Sequence, residues 1–319
     1  MNLRTKLWWG IAAWTAFVVP RVGDLQAEAW SQALLLFAAL VLLPLALDSF
    51  RDDTESAEAA RGFDRVGALQ TPAALLLAGA GWLSPGPLAL AAALPWGVLT
   101  GLLASIGFMR LSRGGLRRPL DGLCRDAALI YAAVGGAWTL ADRGGLRPLG
   151  FDSSIVALTA VHFHYAGLLL PLFAGLVQRE LWFWRFASRA AVGVVLGVPA
   201  VAIGTATTQL CWGTSLETAA GVGLALAGMA VAILHVRIAT EGRHAAATRI
   251  LLAITGASLF FGMLLAALYA MRTSAMLVPG LGIPQMRMLH GTVNAIGFGL
   301  CGVLAWRSVR RSSDVVAPG

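Results

Sequence analysis

Residues 28–47 read EAWSQALLLFAALVLLPLAL, a twenty-residue run with one charge at its first position. At about 1.5 Å of rise per residue a helix of that length matches the roughly 30 Å hydrocarbon core of a bilayer. The run does not alternate polar and apolar positions, so it is not a barrel strand. Similar runs recur along the chain at about 7–20, 67–83, 87–109, 122–141, 153–177, 187–210, 215–236, 249–271 and 287–306. Lipid leaves exposed backbone groups unsatisfied, and only helices or closed barrels escape that penalty. The pattern therefore predicts an all-α, polytopic transmembrane bundle of about ten spans.

The basic residues set the threading. When successive loops are assigned to alternate sides, only Arg21, Arg143, Arg147, Arg272 and Arg287 of the 24 Lys and Arg fall outside. The other nineteen share one side, which the positive-inside rule makes cytoplasmic. Both termini then lie in the cytoplasm, and the location expected is a bacterial cytoplasmic (inner) membrane. Residues 1–311 read as a single transmembrane domain and 312–319 as a disordered tail. Residues 7–20 admit a second reading, a cleaved signal sequence ending near Ala27-Glu28-Ala29.

Composition agrees. Mean hydropathy is +0.74 and charged residues make up 13% of the chain, against about 25% in soluble domains. The net charge of +8 does not signal nucleic acid, because the arginines sit in short loops beside apolar runs, where they face lipid headgroups. Cys124, Cys211 and Cys301 have no metal spacing and read as small packing residues. The loop 48–66 holds Asp48, Asp52, Asp53, Glu55, Glu58 and Asp64 without EF-hand spacing, so it reads as a solvated loop with a short surface helix. Ser84-Pro85-Gly86-Pro87 forces a turn.

Polar residues at membrane depth are costly unless paired or hydrated, and they point to candidate sites. In Val161-His162-Phe163-His164-Tyr165-Ala166-Gly167, a regular helix sets His162 and His164 about 200° apart and puts His162 and Tyr165 on one face. Pro171 deprives the Gly167 carbonyl of its donor and predicts a bend. In the last span His290 and Asn294 are four apart and share a face. Both spans enter from outside, so His162, His164, Tyr165, His290 and Asn294 can converge in one pocket. Thr205, Thr207, Thr208, Gln209 and Glu217 are further cavity-lining candidates, although Thr214-Ser215-Leu216-Glu217 reads first as a helix start. Asp126 is expected to pair with an arginine of the 110–118 loop. His235 and His244 read as interfacial. Gly193 and Gly197, and the series Gly297, Gly299 and Gly302, read as close helix contacts.

HFHYAG at 162–167 and HGTVNAIGFG at 290–299 resemble segments of the membrane region of the bacterial YndJ-like proteins. The resemblance covers most of the chain and carries over His162, His164, Tyr165, Gly167, His290, Gly291 and Asn294. It implies a helical membrane protein; larger members of that family carry an additional soluble part. Some members are labelled transporters, and the resemblance implies no more than that label.

Three functional readings stay open. Titratable imidazoles and kinked helices fit transport of an unidentified small molecule or ion. Imidazoles on separate helices also suit haem or copper, with His162, His164 and His290 as candidate ligands. The third reading is an assembly factor without chemistry.

Overall fold

A computed structural model describes residues 1–51, 56–273 and 279–316. Among them the secondary structure is helical, without strands, in ten long helices. They are α1 (Leu3–Arg21), α2 (Glu28–Phe50), α3 (Ala57–Ala80), α4 (Pro87–Gly114), α5 (Leu120–Gly144), α6 (Ser153–Glu180), α7 (Arg185–Gln209), α8 (Ser215–Thr240), α9 (Ala246–Ala270) and α10 (Ile283–Val316). Seven are long and apolar enough to cross a membrane: α2, α4 and α6 to α10. Charges at the ends of α1, along the first half of α3 and within α5 keep those three below that standard. The chain is a multi-pass membrane protein in a lipid bilayer.

Two differences from the sequence reading concern helix ends. The surface helix expected in the 48–66 loop is the opening of α3, which begins at Ala57 with its N-cap Ser56 accepting from the Ala59 amide. Asp52, Asp53 and Glu55 of that loop lie outside the described residues. At the other end the last helix continues to Val316, while 317–319 of the expected tail lie outside the described residues.

The chain forms two compact units, Met1–Leu169 and Leu170–Gly319. In the first, α2 is central. From Trp30 to Leu47 every residue but Gln32 is buried. A helix that is apolar all round belongs inside, so the most hydrophobic segment of this unit faces protein. α2 is also irregular. Residues Ala38–Leu42 form a π turn, in which one extra residue per turn displaces backbone carbonyls from their usual partners. Neighbouring side chains donate to carbonyls in and just before that turn. Trp14 Nε1 of α1 donates to Ala33 O at 2.8 Å, Tyr165 Oη of α6 to Leu34 O at 2.9 Å, and Gln70 Nε2 of α3 to Ala39 O at 2.7 Å.

The carboxyl end of α2 is held by arginines. Arg110 Nη1 donates to Phe50 O at 2.9 Å and Arg125 Nη1 to Arg51 O at 3.0 Å. These are carbonyls a helix end leaves orphaned, and cations there also meet the negative end of the dipole. The same arginines are buried and paired. Arg110 Nε lies 3.0 Å from Asp126 Oδ1, at ion-pair rather than hydrogen-bond alignment, and Arg118 Nη1 donates to Asp126 Oδ2 at 2.9 Å. Arg125 Nη2 pairs with Asp121 at 2.6 Å. Asp126 thus meets two arginines of the 110–118 segment where one was expected.

Helices α4 and α5 pack antiparallel through small residues. A Cβ on Gly136 would stand 2.0 Å from Thr100 Oγ1, and one on Gly107 2.7 Å from Asp126 O. The turn at Ser84-Pro85-Gly86 is closed by the Gly86 amide donating to Arg143 O at 2.8 Å. α5 ends at Gly145, left-handed at φ 70°, with the Leu146 amide returning to Ala141 O, a Schellman-type stop that glycine makes cheaply.

In the second unit, α7, α8 and α9 run as successive hairpins, with α10 against α9. Close approach again depends on missing side chains. A Cβ on Gly193 would meet Ala227 Cβ at 2.9 Å, one on Gly197 Leu224 at 3.0 Å, and one on Gly204 the Glu217 Cα at 2.7 Å. Gly297 and Gly302 do the same against Ser258 and Phe173. Large apolar side chains such as Leu196, Ile203, Ile233, Ile250 and Phe260 are exposed. This apolar surface is what lipid solvates.

The packing predicts the outcome of three substitutions. Gly136→Ala should cost about 1–3 kcal/mol through overpacking. Gly101→Ala, which meets nothing within 4 Å, should gain up to about 1 kcal/mol of helix propensity. Thermal unfolding of the two purified variants in detergent distinguishes them. Asp126→Ala removes the carboxylate that two arginines face in a buried site and should cost about 3–5 kcal/mol, read in the same assay.

Candidate functional site

The helix carrying His162 and His164 does not stay regular. Residues Phe163–Leu169 form a π segment just before Pro171, so the bend expected from the missing proline amide is taken up by widened turns. The facing changes with it. His162 is exposed, with Nδ1 on Leu158 O at 2.7 Å, whereas His164 and Tyr165 are buried. His162 and Tyr165 therefore do not share a face as a regular helix would require.

His164 has a defined tautomer. Nδ1 lies 2.7 Å from Ala160 O, so it carries the proton and donates. Nε2 is then an acceptor, and Trp96 Nε1 of α4 donates to it at 3.1 Å, the two rings lying within 22° of parallel. Gly135 of α5 leaves the space, since a Cβ there would lie 3.0 Å from the imidazole. Tyr165 spends its hydroxyl on Leu34 O. Both residues bind helix to helix inside the first unit.

The second unit holds the same device. His235 is fully buried rather than interfacial. α8 extends to Thr240, which places it more than a turn inside the helix end. Its Nδ1 donates to Val231 O at 2.8 Å, and Trp306 Nε1 of α10 donates to its Nε2 at 3.2 Å. Trp96 and Trp306 escaped the sequence reading. For Trp96 the available signal was a tryptophan in the middle of a span, away from the interfacial belt, whose indole N–H needs a buried acceptor; Trp306 closes the last expected span and carried no such signal.

His290 and Asn294 do come together. His290 Nδ1 lies 2.8 Å from Gly262 O of α9, which makes it a donor. Asn294 Nδ2 donates to His290 O at 2.8 Å. Its 3.3 Å approach to His290 Nδ1 is proximity only, because that nitrogen already carries a proton. Two π segments, Arg287–Gly291 and Asn294–Leu300, flank the pair, and Gly291 closes the first. Gly262 has no room for a side chain, as a Cβ would stand 2.4 Å from Asn294 Nδ2. Asn294 is buried, and its Oδ1 has no hydrogen-bond partner among the described residues.

The remaining lining candidates are spent locally. Thr205 and Thr207 donate to Val201 O and Gly204 O of their own helix, and Thr208 to Gly213 O. Gln209 is the last residue of α7. α8 does begin at Ser215, but Thr214 makes no side-chain cap, and Glu217 pairs with Arg272 at 3.0 Å. Of the cysteines, Cys124 is buried, while Cys211 is exposed on left-handed backbone at φ 61°, so packing accounts for the first and not the second. His244 lies 3.5 Å from Glu180.

As for a metal or haem, His164 and His235 have both ring nitrogens engaged. Within neither unit do three His, Cys, Asp or Glu side chains among the described residues gather as a ligand set.

Trp96→Phe keeps an aromatic ring but leaves His164 Nε2 without its donor, and it should cost about 1–3 kcal/mol or more. Trp306→Phe should do the same through His235. Unfolding temperatures of both variants check this.

Comparison with known proteins places this architecture. The chain is 28% identical over 216 residues to the uncharacterized membrane protein YndJ of Bacillus subtilis (strain 168), a stretch covering 67% of this chain and 38% of that relative. The chain thus matches well under half of the relative's length. No solved structure matches. The family model for YndJ-like protein matches residues 33–298, a range that includes most of α2, both buried histidine–carbonyl contacts and the His290–Asn294 pair, and the chain belongs to the YndJ-like family.

Proposed function

We propose that this chain is a bacterial inner-membrane carrier for a small molecule or ion, with ten crossings, both termini cytoplasmic, and a binding point at His290 and Asn294. The observation that carries the reading is Asn294 Oδ1, a buried acceptor without a partner among the described residues. Such an atom costs about 1–3 kcal/mol, and the cost is understandable where a ligand donor completes it. The point therefore suits a hydrogen-bond donor or a cation, such as an ammonium group.

This narrows the five-residue pocket expected from sequence. His164 and Tyr165 serve Trp96 and Leu34 O, which supports a structural role for them. A haem or copper site would have to displace the Trp96 bond from His164. The paired histidine–tryptophan bonds favour, as a second reading, a protein whose polar interior serves assembly alone.

Asn294→Leu separates the readings. A thermal-shift screen of detergent-solubilised protein against monovalent cations and small ammonium compounds should return a stabiliser that the leucine variant no longer feels. That compound should enter proteoliposomes at least about tenfold faster with the unaltered chain. If Asn294→Leu is more stable and fully restores a deletion strain at matched expression, the carrier reading is wrong.

A further inference from the structure

The first unit contains a cavity of about 250 Å³ lined by ten residues, among them Lys6, Asp48, Arg51, Asp64 and Gly67. It lies where the start of α1, the end of α2 and the start of α3 meet, remote in sequence from His290 and Asn294. Its charged side chains are two cations and two carboxylates, and Met1 also lines it. Each of the two cations has a carboxylate near it. Arg51 Nη2 lies 2.6 Å from Asp64 Oδ1, and Asp48 acts electrostatically on Lys6, whose Nζ donates to Gly67 O. Partial burial pushes Lys6 below the usual lysine range, and Asp48 opposes that shift. The other walls are apolar: Leu3, Pro44, Leu47 and Phe63.

A lone anion or cation engages only one sign of this lining. A zwitterion gains at both ends. The volume is below the roughly 300–1,000 Å³ of drug-sized sites and suits a compact group. The apolar wall beside the charges suits a ligand with a hydrocarbon stem. We propose that this cavity binds a phosphoethanolamine-type zwitterion, with the phosphate at Lys6 and Arg51 and the ammonium at Asp48 and Asp64. This inference is independent of the carrier reading.

Gly67 supplies the control. A Cβ there meets only Lys6 Nζ, at 3.9 Å, so Gly67→Leu grows into the cavity without a backbone clash. The full chain in detergent is equilibrated with phosphatidylethanolamine or phosphatidylglycerol, and bound lipid is read by native mass spectrometry. Phosphatidylethanolamine should be retained preferentially, and Gly67→Leu should lose it. Asp64→Asn, at an exposed carboxylate, should reduce the preference about fivefold without touching the core. Competition by free phosphoethanolamine assigns the site to a soluble zwitterion; its failure assigns it to a lipid headgroup. Equal retention of phosphatidylglycerol, or undiminished retention of phosphatidylethanolamine by both variants, overturns the proposal.

Discussion

The first unit depends on one constraint: a buried backbone carbonyl must find a donor. α2 has no polar side chain between Gln32 and Asp48, and its π turn displaces carbonyls from the regular ladder. Water is excluded there, so other helices supply the donors. Trp14, Gln70 and Tyr165 each reach from a different helix to Ala33, Ala39 and Leu34. Arg110 and Arg125 repeat the arrangement at the helix end. The order of α1, α3 and α6 around α2 is thus specified by hydrogen bonds, while apolar contact supplies only cohesion. In lipid this division is expected, since apolar side chains distinguish poorly between a neighbouring helix and an acyl chain.

The second unit solves the same problem with fewer polar atoms. Glycines bring α7, α8, α9 and α10 into backbone contact, and the His235–Trp306 bond ties α8 to α10. The His164–Trp96 bond is its chemical counterpart in the first unit. In each case the imidazole turns its Nδ1 proton onto the carbonyl four residues earlier, leaving Nε2 to receive an indole. A neutral histidine is well suited to this. It satisfies its own helix and a neighbour without placing a charge in the interior.

Much of the fold was legible because hydropathy is local. Every expected span has a helix at its position, Pro85-Gly86 marks a turn, and Asp126 finds its arginines. What escaped was register and partnership. A π turn differs from an α turn by one residue, which no composition records; Pro171 hinted at one of them, and Pro44, which frees the Leu40 carbonyl inside Ala38–Leu42, carried the same signal unread. The His290–Asn294 pair was readable because it rests on an i, i+4 spacing. The His162–Tyr165 face was misread because the helix between them is not regular. Trp96 and Trp306 are bonded to residues 68 and 71 positions away, beyond anything periodicity can report. High hydropathy likewise gave no warning that α2 would be sheathed by protein.

The widened turn at Ala38–Leu42 makes α2 forgiving of a deletion at one place. The turn holds one residue more than a regular one, so loss of a residue there would let the helix wind evenly while everything from Pro44 onward kept its phase, with the Phe50 and Arg51 carbonyls still facing Arg110 and Arg125. The same loss in the regular turns before Phe37 would swing the downstream half by about 100° against the upstream half.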